Sequence, residues 1–187
     1  MSTMPRNLNP SEKRDAADRK ALSRAIPVLR QLILDTALLQ AHVEHARSHI
    51  PEAERRIRSL LEGLNGELTV CSTLLQRRLS AFQKRIERPA PHETDANSFW
   101  RLYPGEELDY REHLEALLAG YGHYRRSACD SIRTLEHSGD VDSVKVVQKL
   151  IAVAEKGLCF IELYLEGLAL HMDRNRLPAW PVAADLK

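Results

Sequence analysis

Apolar residues recur along this chain at alternating spacings of three and four and never in strict alternation, a pattern that predicts helices and no strands. It is plainest late in the chain, where Val144, Val147, Ile151, Ala154, Leu158, Ile161, Leu165 and Leu168 fall on one helical face. A second stripe runs through Ala53, Ile57, Leu60, Leu64, Leu68, Cys71, Leu75, Leu79 and Phe82, and a third through Leu114, Leu117, Leu118, Tyr121, Ala128, Ile132 and Leu135. Proline is poorly tolerated inside a helix, so Pro27, Pro51, Pro89, Pro91, Pro104 and Pro178 bound the uninterrupted stretches 28–50, 52–88 and 105–177. His137-Ser138-Gly139-Asp140 divides the last of these, because Gly139 suits the left-handed residue that ends a helix and Asp140 the cap that begins the next. Four segments of roughly 25 to 35 residues are rods of about 40 to 50 Å, which pack side by side as an all-α four-helix bundle. Gly63 and Gly66 interrupt the second segment and allow a bend there.

The connection between the second and third helices, 87–106, is long for a bundle and rich in Pro, Trp and Tyr. A connection of that length spans the bundle and makes helices two and three parallel, the ferritin-like order rather than simple up-and-down. The expected organisation is an N-terminal arm over 1–25, a bundle over 26–171 and a C-terminal tail over 172–187, the tail anchored by Trp180 between prolines.

Composition narrows the function classes. The 187 residues are 43% hydrophobic and 28% charged, and 27 Lys and Arg balance 26 Asp and Glu, so a strongly basic nucleic-acid binder is excluded. The longest stretch free of charged residues is about nine, far short of the roughly 20 that span a bilayer. No membrane association is expected. The polar N-terminus lacks an apolar leader core, which makes a cytoplasmic location the expectation. Cys71, Cys129 and Cys159 fall within apolar stripes and read as buried thiols rather than disulfide partners.

Familiar catalytic patterns are missing. None of the eight histidines has a Glu three positions earlier, as an intrachain carboxylate-bridged iron pair requires. Zinc-protease, phosphate-loop and nucleophile-elbow motifs do not occur either. What remains is His42, His45 and His49, spaced three and four at the end of the first helix with Glu44 nearby. Three imidazoles on one face can hold a transition metal. A solvated helix end, where histidine complements the dipole, is the plainer reading and the favoured one. Arg55, Arg56 and Arg58, interleaved with Glu52, Glu54 and Glu62, read as a solvated face, and Asp140 and Asp142 as cap and dipole partner. The arm carries Lys13, Arg14, Arg19 and Lys20 within a net charge of about +3, which binds DNA weakly as one copy and more strongly in an array.

Several short motifs, in order, resemble the Dps family, the ferritin-like DNA-binding proteins from starved cells. They are Gln40-Ala41-His42, Leu102-Tyr103-Pro104, Asp109-Tyr110-Arg111-Glu112-His113-Leu114, Gly139-Asp140, and Lys-Gly-Leu-Cys-Phe-Ile-Glu over 156–162. The resemblance covers about 32–167 and implies a homo-oligomeric shell of twelve chains, a hollow interior, a role in stress protection or iron storage, DNA association, and iron oxidised at sites shared across a dimer seam. The family's ligand slots fall on His42, Glu54, Arg58, Thr69 and Thr73, and of these only His42 matches. Arg58 brings a positive charge, and the threonines bring no carboxylate, so iron is expected to bind weakly and ferroxidase activity to be weak or absent. A one-turn slip at the glycines would offer Glu62 or Glu67 instead. The competing expectation is a helical scaffold that keeps the fold and binds no metal.

Overall fold

The computed structural model describes residues 10–83 and 109–175, with side chains placed over 23–82 and 109–168. Four helices follow in order: α1 (Pro10–His49), α2 (Arg55–Gln83), α3 (Tyr110–His137) and α4 (Val141–Asn175). The crossover 87–106 and most of the C-terminal tail lie outside the described residues.

Each helix buries a stripe with three-four spacing. In α1 it is Ala25, Leu29, Leu32, Thr36, Leu39, Val43 and Ala46, continued by Ile50 just past the helix, and in α2 it is Ile57, Leu61, Leu64, Leu68, Cys71, Leu75 and Phe82. Helices with such stripes bury them against one another, and each large side chain so removed from water contributes about 1.5–3 kcal/mol. The one hydroxyl in the α1 stripe is accommodated by a partner: Thr36 Oγ1 lies 2.8 Å from Tyr124 Oη on α3 and also donates to the Leu32 carbonyl. Asp35, beside it, accepts from Ser127 of α3 at 2.8 Å and from Gln31 at 2.8 Å.

These cross-links fix the helix directions. Residues 35 and 36 of α1 meet 127 and 124 of α3, and His49 meets His113, so α1 and α3 are antiparallel. Arg78 near the end of α2 pairs with Asp140 at the start of α4, and Tyr164 of α4 donates to Glu54 beside the start of α2. Helices α2 and α4 are therefore antiparallel too. Gln40 of α1 donates to Thr69 of α2 and Arg58 of α2 to the Ile50 carbonyl, so α1 and α2 are antiparallel as well, and α2 and α3 therefore run parallel, with α2 ending and α3 beginning at opposite ends of the bundle. This is the connectivity expected from the long crossover.

Three details depart from the sequence reading, and α2 runs as one helix through its two glycines. Helix α1 begins at Pro10 and continues through Pro27, so much of the segment expected as an arm extends the first helix. Proline forfeits one helical hydrogen bond, but Ala25, Leu29 and Leu32 are all buried around it, and their packing holds the helical backbone on both sides. Cys129 and Cys159 are exposed, and only Cys71 is buried. The two exposed thiols sit at the margins of their stripes, where a shift of one position around a helix moves a side chain about 100° from the core. In α4 the most buried positions are Ser143, Val147, Leu150, Ala154, Gly157 and Ile161, a stripe turned slightly from the expected one, with Val144, Ile151 and Leu158 at its edge. Gly157 explains the turn: a Cβ there would lie 2.5 Å from Cε1 of Tyr121, so the tyrosine ring occupies the space a side chain would fill.

Candidate functional site

One end of the bundle gathers the last turns of α1, the start of α2, the first turn of α3 and the later part of α4. Helix α3 opens with a capping box, in which Asp109 accepts from the Glu112 backbone N–H and Glu112 accepts from the Asp109 N–H, both at 2.9 Å. This fixes where α3 begins, and the antiparallel packing then sets its first turn against the last turns of α1. His113 is fully buried there. His45 and His49, four apart on α1 and half-buried, face it. Their ring centroids lie 4.4 Å apart, and His113 is 5.3 Å from His45 and 4.4 Å from His49. One potential ligand atom from each of the three lies within 4.8 Å of the others.

The electrostatics favour the neutral form of His113. Burial pushes the His113 pKa down, and His49 and His45 push it further, against the opposing pull of Asp109 and Glu112. The Nδ1 of His49 lies 2.9 Å from the His45 carbonyl. A carbonyl only accepts, so Nδ1 carries the proton, and in the neutral ring Nε2 holds the lone pair. Ser48 Oγ also approaches this Nδ1, at 3.1 Å.

His42, the first of the three histidines singled out by spacing, is half-buried and is not a member of this group. The structure brings together His45, His49 and His113 instead. His113 was visible in the sequence only as part of the opening of the third helix. Its place one residue before Leu114 and four before Leu117, on the buried side of α3, was the signal that it points inward. Pairing it with His45 and His49 needs the α1–α3 register, which no local pattern contains.

The slots that the resemblance assigned to iron are engaged in intrachain bonds. Glu54 accepts from Tyr164 Oη at 2.7 Å, and Arg58 donates to the Ile50 carbonyl at 2.8 Å, closing the end of α1. Burial, the bond to Glu54 and the Glu54 charge all raise the Tyr164 pKa, so its hydroxyl stays a donor. Thr69 donates to the Asn65 carbonyl and accepts from Gln40 Nε2 at 2.9 Å, and Thr73 donates to the Thr69 carbonyl. Both threonines are exposed. One imidazole, one carboxylate, a guanidinium and two hydroxyls do not fit iron(II) as substrate, which takes imidazole and carboxylate together. Of the two carboxylates that a slip would offer, Glu67 is paired with Lys156 and Glu62 is exposed on the same helix.

The remaining sites have structural partners or lie beyond description. Asp140 caps α4 by accepting from the Ser143 N–H and pairs with Arg78 at 2.6 Å, and Asp142 pairs with the same arginine. Glu44 pairs with Arg47. Lys13, Arg14, Arg19 and Lys20 belong to the first turns of α1, and their side chains lie outside the described residues.

No protein-family model matches the sequence, and no curated protein is similar to it in sequence. In three dimensions the chain is similar to Dps from Thermosynechococcus elongatus, with a TM-score of 0.65 over 80% of this chain and 94% of that one, at 12% identity. The fold is that of Dps. At so low an identity the likeness concerns architecture, and the Dps-like bundle here carries a different set of side chains from the one the family motifs describe. Among the described residues no helix is long and apolar enough to cross a membrane.

Proposed function

We propose that this chain is the subunit of a Dps-like shell, a homo-oligomer of twelve copies serving stress protection or mineral storage in the cytoplasm, with iron oxidation at the subunit seam weak or absent. The observation that carries the reading is the correspondence of this bundle with 94% of a Dps chain, which leaves almost none of that subunit without a counterpart. The lowered iron chemistry rests on the bonds that occupy Arg58, Thr69 and Thr73. DNA association through the basic residues Lys13, Arg14, Arg19 and Lys20 depends on many copies displayed together and on low salt.

Twelve chains of 21.3 kDa give about 256 kDa, so light scattering of the purified chain tests the shell directly. A mass of one or two chains would reject it. In the same preparation, added iron(II) is expected to oxidise little faster than in buffer, and rapid stoichiometric oxidation would reverse the reading of the seam. DNA retardation is expected at low salt and should vanish when residues 1–24 are removed.

A second reading, a scaffold that retains the fold without iron chemistry, is favoured by the same engaged slots. It predicts an unmineralised interior after iron loading, whatever the assembly mass.

A further inference from the structure

The cluster at the end of α1 is separate from the inherited iron slots and contains none of them. Its three rings come from one chain, two on the last turns of α1 and one on the first turn of α3. We infer that His45, His49 and His113 form a three-histidine site for a borderline divalent transition metal, of the zinc or copper(II) class, held within a single subunit.

Four observations converge on this. The donor atoms already lie within 4.8 Å of one another, and a tetrahedral zinc ion with Zn–N bonds of about 2.0–2.1 Å holds neighbouring nitrogens roughly 3.4 Å apart. Metal binding requires side-chain rotation to close that difference. Nδ1 of His49 is committed to the His45 carbonyl, which orients the ring and leaves Nε2 as the ligand atom, the arrangement that supports metal-bound histidines generally. The end of α1 presents the negative pole of its helix, answered in part by Arg58 at the Ile50 carbonyl, and Asp109 and Glu112 add negative charge at the start of α3. The donor set, lastly, is nitrogen alone within the group. Such a set favours ions late in the first-row series over iron(II), whose sites mix imidazole with carboxylate. Three protein ligands leave one coordination position for water.

This inference goes beyond the shell reading and does not depend on it, because every ligand belongs to one chain. The full-length protein, stripped with a chelator and dialysed, is titrated with zinc against a chromogenic competitor. One tightly held zinc per chain is expected. His45→Ala and His49→Ala, both on half-buried positions of an otherwise intact helix, are each expected to weaken binding by at least about tenfold, as is His113→Asn. His42→Ala should bind as the unaltered chain does. Far-ultraviolet circular dichroism verifies that each variant is folded. Cobalt(II) in place of zinc should give the strong visible absorption of a four-coordinate ion, lost in His49→Ala. The site is overturned if zinc binds no better than one-tenth of a mole per chain, if His45→Ala or His49→Ala leaves affinity unchanged, if folded His113→Asn still binds normally, or if His42→Ala is as damaging as the others. None of these outcomes alters the mass or iron measurements that judge the shell.

Discussion

Burial decides the acid–base behaviour of the single residues in the core. The Cys71 thiol is pushed up to about 11, chiefly by burial and further by Glu67, with Lys149 opposing. Burial raises the hydroxyls of Tyr121 and Tyr124 as well. For a group whose pKa is higher folded than unfolded, the stability it confers is complete below the unfolded value and is lost as pH rises toward the folded one. The unfolded thiol ionises near 8.5, so native stability is expected to decline from about pH 8.5 towards 11. Denaturant midpoints at successive pH values should show this, and in Cys71→Val the decline should begin later, near pH 10, where only the tyrosines contribute. Thiol labelling of the native chain should modify Cys129 and Cys159 while Cys71 reacts only on unfolding. The sequence placed all three cysteines on apolar stripes. Which of them is covered depends on a rotation of one position about each helix, and that is a property of packing.

At the scale of the elements, the helices are joined by a few polar contacts that act as register marks. Asp140 begins α4 and grips Arg78 of α2 in the same stroke, its Oδ1 accepting from both Ser143 N–H and the guanidinium. Asp140→Ala is expected to cost about 1–2 kcal/mol in chemical denaturation, and Asp142→Ala, on an exposed pair, under about 0.5 kcal/mol. Gly157 performs the corresponding task for α3 and α4, since Tyr121 lies where its Cβ would be. Gly157→Ala gains helix propensity yet forces the ring aside, and a net loss of about 1–3 kcal/mol is expected. Gly66 is the contrast: nothing lies within 4 Å of the place its Cβ would take. Helix number, the Gly139 turn and the Asp140 cap were all legible, because each is written in a few consecutive residues. The start of α1 was not. Local chemistry favours stopping at Pro27, and the buried residues on both sides of it outweigh the lost hydrogen bond.

For the whole molecule, the exposed face of α2 bears Gly63, Gly66, Thr69, Val70 and Thr73, and Val70 is 60% exposed in the single chain. If the proposed shell forms, this face, which carries the Thr69 and Thr73 slots, would be the one covered where two subunits meet. Val70→Asp is therefore expected to leave helicity unchanged and to lower the mass by light scattering to that of small oligomers, because an unpaired carboxylate is expensive in a closed interface. Metal at the three-histidine cluster would tie α1 to α3 and act on the fold as a whole. At a hundredfold excess of zinc over Kd, stability should rise by about 2.7 kcal/mol, seen as a higher midpoint that His49→Ala abolishes. The order of amino acids suffices for four long helices, their turns and the all-α class, since periodicity and caps are local. The long connection likewise implies parallel second and third helices, because a chain of fixed reach must cover the bundle's length. The meeting of His113 with His45 and His49 is of another kind. It joins residues more than sixty positions apart through the antiparallel register of α1 and α3, which the Thr36–Tyr124 and Asp35–Ser127 bonds mark, and only the folded packing of side chains selects that register.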